Sequence, residues 1–307
     1  MGDNDVLKML NDEKQRTLQT AMESNVTKDS KQEDFQDSRT FLYDALSDEE
    51  ANRVLNNPRH RLVVLLGLPL SGKSTFVGSM YHMLMTKVSM GNYRLLGSDT
   101  YVGLERRVYL RYAHGHNISD TKRTGNLEGH ILTLDLEEKN RLEKLQLFLS
   151  DRTGERYKKY ASGEANMKDD ASLLSADHLY IFVAADMLTG NEYLSVKEKY
   201  VKLATQLRTV GVIERAKTVT LIFNKIDLVM NDKDRFERKK QLFLTAMKEA
   251  VNLVGLDSYN VQSNNMNAME LKIMIEKLIG NAFDNQDNND EEKLDWMNKE
   301  IQKYQEL

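Results

Sequence analysis

The chain has 307 residues, 40% hydrophobic and 29% charged, with a formal net charge of −4, which suits a globular protein with one large core or two small ones. It contains no cysteine, which excludes a disulfide framework and any cysteine-based metal site or nucleophile and fits a reducing, cytoplasmic setting. Residues 1–58 carry a net −6 and residues 283–307 a net −5, which leaves +7 on residues 59–282; a mildly basic middle suits a phosphate ligand, and it is too weak and scattered for a nucleic-acid track.

The N-terminus, MGDNDVLKMLNDEK, is acidic and unlike a signal peptide, and no apolar run reaches membrane-spanning length. Residues 1–40 have a sparse apolar set (Val6, Leu7, Leu10, Leu18, Met22), which suggests one amphipathic helix and then a disordered stretch around Ser24–Ser38. Residues 41–55 read as a helix with Ser47 and Glu50 at capping-box spacing, and Pro58 marks an entry turn.

From Arg61 the chain alternates strands and helices, which implies a mostly parallel sheet with right-handed crossovers. Strands are expected over 61–67, 130–138, 144–150, 178–185, 217–223 and 258–262, and helices over 74–88, 98–113, 191–210, 234–254 and 268–281. The second and third strands are separated only by a short polar segment and form an antiparallel hairpin. The expected fold is α/β with three layers: a mostly parallel six-stranded sheet with one antiparallel strand, between acidic helical or disordered termini. The expected domains are an extension over 1–58, a core over 59–282 and a tail over 283–307. In the tail Leu294, Met297, Ile301 and Tyr304 fall on one face of a last helix, suited to docking on the parent domain or to a partner contact.

Gly67 to Ser74 read GLPLSGKS, a complete G-x-x-x-x-G-K-[ST] loop between a buried-strand run and a helical run. The glycines let the backbone wrap a triphosphate with its N–H groups inward, at a helix N-terminus where anions are favoured. Backbone contacts are expected from Gly67, Leu70, Ser71, Gly72, Lys73, Ser74 and Thr75. Lys73 supplies a charge for the β- and γ-phosphates, and the Ser74 hydroxyl can ligate Mg²⁺. Asp151-Arg152-Thr153-Gly154 follows the strand KLQLFLS. Alone, D-x-x-G is an ordinary Asp turn; after a buried strand and downstream of a phosphate loop, Asp151 can hold Mg²⁺ through water, and the Gly154 N–H can approach a γ-phosphate. Asn224-Lys225-Ile226-Asp227 follows the strand TVTLIF. Asp227 can accept two hydrogen bonds from guanine N1–H and N2–H₂, and with adenine it would stay unpaired, which is the basis of strong discrimination. Asn224 can support the purine edge and the neighbouring loop, and the Lys225 stem can lie along the base.

With GLPLSGKS, DRTG and NKID in this order, and an antiparallel strand pair before DRTG, residues 61–282 resemble the Ras-like, translation-factor-related class of phosphate-loop GTPases. The strings GLPLSGKSTFVGSMYHML and SDRTGE look most like bacterial double-GTPase proteins associated with conflict systems. The resemblance implies GTP/GDP and Mg²⁺ as ligands, a protein effector or activating partner, and a switch threonine on the metal, for which Thr124 is the candidate and Thr121 the alternative. It also implies a base-backing loop, at Ser263 and Asn264, where the usual alanine is missing.

Three departures bear on rate. Glu155 stands where a glutamine orients water in Ras-like enzymes, and its charge lies near an anionic phosphate. Pro69 stiffens the phosphate loop and removes a donor. Arg123, just before Thr124, resembles a cis-acting arginine finger, or is a solvated loop arginine. The segment between the phosphate loop and DRTG is long. Its extra helix carries Arg106, Arg107, Tyr109, Arg111 and Tyr112 as a basic, aromatic surface or as a packed element, and His114 and His116 read as loop residues. Met80, Met83 and Met85 read as helix packing. The leading expectation is a Mg²⁺-dependent GTP-hydrolysing switch. A guanine-nucleotide-binding scaffold with little turnover is the second reading, and an ATPase or nucleotide kinase, which leaves Asn224–Asp227 without a role, the third.

Overall fold

The computed structural model describes residues 43–54, 59–86, 90–112, 129–253, 256–265 and 267–284, all within one compact unit, Phe41–Leu307. In chain order the strands are β1 (His60–Leu66), β2 (Tyr93–Gly97), β3 (Ile131–Glu138), β4 (Glu143–Ser150), β5 (His178–Ala184), β6 (Thr218–Asn224) and β7 (Asp257–Asn260). The helices are α1 (Asp48–Val54), α2 (Lys73–Met85), α3 (Tyr101–Tyr112), α4 (Gly154–Ser162), α5 (Ala171–Leu174), α6 (Ala185–Thr189), α7 (Tyr193–Thr209), α8 (Val212–Arg215), α9 (Lys233–Val251) and α10 (Met269–Phe283).

The strands form one sheet in the order β2-β3-β4-β1-β5-β6-β7. β1 pairs in parallel with β4 and β5, and β5–β6–β7 continue in parallel. β3 runs antiparallel to both neighbours, so the mostly parallel sheet with one reversed strand is as expected from the sequence. The strand count is not: the sheet has seven strands, not six. The added strand, β2, is a five-residue edge whose residues alternate in exposure. Tyr93 and Leu95 turn toward the core, while Leu96 stays 44% exposed.

Alternation along the central strands makes the three layers. Val64, Leu66, Leu179, Ile181, Leu221 and Phe223 face α4, α7 and α9. Val63, Leu65, Tyr180, Phe182 and Ile222 face α2, α3 and α10 on the other side. Met80 and Met83 are buried in that second layer, whereas Met85 is exposed.

The capping box forms as expected, with the Ser47 N–H donating to Glu50 Oε2 at 2.7 Å and the Glu50 N–H to Ser47 Oγ at 3.2 Å. The helix expected over 41–55 is shorter on its described part, since Leu46 instead makes a β-bridge to Ile131. Leu46 and Ala51 pack on Ile131 and Phe148, so this part of the 1–58 segment joins the core. The expected helices at 1–40 and 294–304, and Thr121, Arg123, Thr124, His114 and His116, lie outside the described residues.

An ion-pair cluster ties this segment to the DRTG turn. Arg152 bonds Asp48, and its Nε lies 3.1 Å from Asp170 Oδ2. Asp48 Oδ1 is 3.4 Å from His130 Nε2. Asp170, whose side chain is fully buried, also accepts from Tyr160 Oη at 2.7 Å, from Ser172 Oγ at 2.9 Å and from the Leu173 N–H that it caps at 3.0 Å. Replacing Asp170 by Ala leaves Arg152 short of one counter-charge and removes the cap, so a loss of about 3 kcal/mol or more in urea denaturation is expected.

Candidate functional site

Because β4, β1, β5, β6 and β7 are parallel, their C-terminal ends share one edge of the sheet, the side where ligands bind in open α/β folds. The loop after β1 carries GLPLSGKS, the turn after β4 carries DRTG, the turn after β6 carries NKID, and Val261–Asn264 follow β7.

In the first loop, Pro69 and Leu70 take the central places of a turn closed by the Ser71 N–H on the Leu68 carbonyl at 3.3 Å. Leu70 has φ 65°, as the third position of a type II turn requires and as a leucine adopts only under strain. Gly72 has φ 87°, and a Cβ there would come within 2.1 Å of Asn224 Nδ2, so glycine is needed for conformation and for space. Ser71 is buried and its Oγ has no hydrogen-bond partner among the described residues. Tyr200 pegs the loop from beneath: its hydroxyl donates to the Phe182 carbonyl at 2.6 Å and accepts the Leu68 N–H at 3.1 Å.

Lys73 folds back over the loop. Its Nζ donates to the Gly67 carbonyl at 2.9 Å and sits 5.6 Å from the centre of the Tyr157 ring. Burial pushes this ammonium down to about 8 from 10.5, against the opposing pull of Asp151. The amine is thus inside the loop, desolvated, and held by one carbonyl, an arrangement that a phosphate anion would relieve.

Asp151 is 1% exposed. Its Oδ1 accepts from Ser74 Oγ at 3.1 Å and its Oδ2 from Arg107 Nε at 2.7 Å. A hydroxyl and a carboxylate at this spacing are hard oxygen donors of the kind Mg²⁺ takes, so Ser74 and Asp151 fit that ion. The role of Arg107 toward Asp151 is not visible in the sequence. Of the two readings of the extra helix, basic surface or packed element, the packed one holds at this position: α3 buries Arg107 at 6% exposure against Asp151.

Gly154 opens α4, and a Cβ there would come within 2.3 Å of Pro69 N and 2.5 Å of Leu68 C. The glycine therefore lets the DRTG turn lie directly on the phosphate loop. Glu155 does not reach that loop: it is on the exposed face of α4, its carboxylate 3.9 Å from Lys158 Nζ. Helix α4 was not foreseen, although Tyr157, Tyr160 and Ala161 at helical spacing form its buried face.

Asn224 joins three loops. Its Nδ2 donates to the Ser71 carbonyl at 3.0 Å, and its Oδ1 accepts the Ser263 N–H at 3.1 Å. Ser79, one turn into α2 beyond Thr75, carries no sequence signal; its single hydroxyl proton is shared between the Ser263 carbonyl at 2.5 Å and the Thr75 carbonyl at 2.9 Å. Lys225 takes φ 60°, which turns the chain sharply after β6. Asp227 is half-buried, and its Oδ1 is buried with no hydrogen-bond partner among the described residues. Asn264 is exposed beside Ser263.

Replacing Lys73 by Met should raise the melting temperature of the nucleotide-free protein at pH 7, because it removes a buried ammonium. The gain should shrink between pH 8 and 10.5: over that window the unfolded chain holds the proton that the folded one has released, so wild-type stability rises with pH. Differential scanning fluorimetry across this range checks it.

A family model described as Double-GTPase 2 matches residues 61–282. Among solved structures, the chain is similar to the S. cerevisiae Ski7 GTPase-like domain bound to GTP, with 12% identity and a TM-score of 0.45 over 78% of this chain and 53% of that one. It is similar to the same domain bound to GDP and inorganic phosphate, with 14% identity and a TM-score of 0.45 over the same shares. The chain thus spans about half the length of these solved chains, 53% in each. No curated protein matches it.

Proposed function

The chain belongs to the Double-GTPase 2 family of GTP-binding phosphate-loop proteins, and from that premise we propose that it hydrolyses GTP to GDP and phosphate as a Mg²⁺-dependent switch that recruits a protein partner. The observation that carries the base assignment is the Asp227 carboxylate oxygen, buried and unpartnered among the described residues at the end of β6. Guanine offers it N1–H and N2–H₂, whereas adenine leaves it unpaired. Asn224 holds the turn that presents it, Ser263 and Asn264 back the base, and the Lys225 stem lies along it.

The triphosphate sits in the loop from Gly67 to Thr75. There the backbone N–H groups of Leu70 and of Gly72 to Thr75, at the start of α2, face the anion, while that of Ser71 closes the turn on Leu68. Lys73 leaves the Gly67 carbonyl for the β- and γ-phosphates. Ser74, Asp151 and Thr124 would hold Mg²⁺, which when bound neutralises charge between the β- and γ-phosphates. Gly154, already against the phosphate loop, offers its N–H to the γ-phosphate. The DRTG turn and the Thr124 segment are thereby held while the γ-phosphate remains, and are released after cleavage. Arg123 stands beside Thr124 in sequence and is the candidate to stabilise transition-state charge.

One observation favours the second reading, a GTP/GDP-binding scaffold with little turnover. Glu155 lies on the solvent side of α4 beside Lys158, so no side chain at that position orients water. A cytoplasmic location is proposed with either reading, in keeping with the cysteine-free sequence. No helix among the described residues is long and apolar enough to cross a membrane.

Calorimetric titration should show GTP and GDP binding at least about 100-fold more tightly than ATP, and Asp227→Asn should shift the preference toward xanthosine nucleotides. Equal affinity for ATP and GTP would overturn the base assignment. Single-turnover phosphate release then separates the readings. The switch requires cleavage, which Glu155→Ala should leave within about threefold; Arg123→Ala should slow it by about 10-fold or more, and an unchanged rate overturns the arginine-finger role alone. Tight GTP binding without release selects the scaffold.

A further inference from the structure

Asp151 carries one negative charge, and in the described structure that charge is already compensated by Arg107. We propose that Arg107 is the resident counter-cation of Asp151, which a divalent cation displaces, so that metal entry is coupled to loosening of helix α3. This rests on the reading of Ser74 and Asp151 as metal-holding groups.

The contact is built rather than incidental. The Arg107 and Asp151 side chains are 7% and 0% exposed, and Nε meets Oδ2 at 2.7 Å. Arg107 Nη1 is tied to its own helix through the Gly103 carbonyl at 2.8 Å. Nη2 is buried with no hydrogen-bond partner among the described residues. A guanidinium with one orphaned nitrogen is satisfied for charge but not for hydrogen bonds, which makes it a replaceable occupant. The helix is brought here by a close backbone approach: a Cβ at Gly78 of α2 would come within 3.2 Å of the Arg107 carbonyl oxygen. Gly78 is four residues beyond Ser74, on the same face of α2.

Both carboxylate oxygens are taken, Oδ1 by the Ser74 hydroxyl and Oδ2 by Arg107. Each oxygen keeps a second lone pair, so a divalent cation at Ser74, with its water on Asp151, competes through charge: it repels the guanidinium beside it. With one carboxylate between them, the two cations are alternatives. Displacement of Arg107 breaks the charged contact of α3 with the end of β4 and leaves the helix held by its apolar face, Leu104 and Val108, alone on that side. The first half of α3 is bonded to the segment before α1, with the Val102 N–H on the Tyr43 carbonyl at 2.9 Å and Arg106, next to Arg107, on Asp44. The metal site is therefore linked through one helix to the chain that precedes the sheet.

The test uses fluorescent N-methylanthraniloyl-GDP with full-length protein and reads the Mg²⁺ concentration that gives half of the metal-dependent gain in affinity. Arg107→Gln should lower this midpoint about 10-fold, since it removes a competing positive charge; an unchanged midpoint overturns the inference. A wild-type protein that binds no guanine nucleotide refutes the proposed function and this inference with it, whereas binding with an unchanged midpoint refutes the inference alone. Hydrogen exchange on the wild-type protein decides the matter if the variant does not fold. Amides of α3 should exchange at least about threefold faster with Mg²⁺ and GDP than with GDP and EDTA, and equal protection overturns the coupling.

Discussion

A carboxylate removed from water must be neutralised where it lies, and at Asp151 that requirement organises the part of the chain that is not a repeating strand–helix unit. A buried ionised group without a partner costs several kcal/mol. The carboxylate stands at the end of β4, in the middle of the sheet. Its compensation comes from Ser74 at the start of α2 and from Arg107 on α3. For Arg107 to arrive, α3 must lie against α2, which requires a residue without a side chain at Gly78. For α3 to cover the β2–β3–β4 end of the sheet, Leu104 and Val108 must join the apolar layer made by Leu132, Leu134 and Leu136. The inserted segment is thus held by one charge and one apolar face together.

A second constraint acts on the other half of the site. The phosphate loop, the NKID turn and the Ser263 loop belong to three strand ends far apart in sequence, and each contains backbone groups that need partners. Asn224 supplies one donor and one acceptor, to Ser71 and Ser263, and Ser79 closes the circuit from α2 to Ser263. Because both oxygen and nitrogen of the one amide are engaged, a displacement of the phosphate loop is felt at the base-side loop. The Tyr200 hydroxyl plays the same part between Phe182 and Leu68.

The motifs were legible in the sequence because each is a local string: GLPLSGKS, DRTG and NKID lie where a strand must turn, and their residue types have conformational and chemical roles fixed by the turn. The central strands were legible because three to seven consecutive apolar residues need burial on both faces. Residues that act across the fold were not. Arg107 has no periodic signature that separates it from Arg106, which stays partly exposed on Asp44; only the position of Asp151, 44 residues away, selects it. Ser79 lies in an apolar helix and reads as filler until the Ser263 carbonyl is beside it. β2 is an edge with alternating exposure and only five residues, too short to outweigh the helix that follows. Helix α4 does carry a signal, in Tyr157, Tyr160 and Ala161, but its nine residues, opened by Gly154 and closed by Gly163, are short for a periodic pattern.

Strain and desolvation cluster where the ligand is proposed to bind. Leu70 and Lys225 hold positive φ without being glycine. Lys73 keeps an ammonium in a dry loop with its proton affinity lowered by burial, and Ser71, Asp227 and Arg107 each have a buried polar atom without a partner among the described residues. Each of these lowers the stability of the free protein, and none improves the packing of the sheet. A sequence selected for stability alone would place a glycine at Leu70 and an apolar residue at Lys73. That all six lie on the loops at one sheet edge, or on the helix packed beside them, is what an anion with several donors and acceptors would offset on binding, since one ligand can meet unpartnered groups that the chain leaves open. The same groups explain why the ligand-free site need not be loose: Gly67, Asp151 and Gly103 hold Lys73 and Arg107 in place by single hydrogen bonds, strong enough to order two cations and weak enough to exchange for charged oxygen.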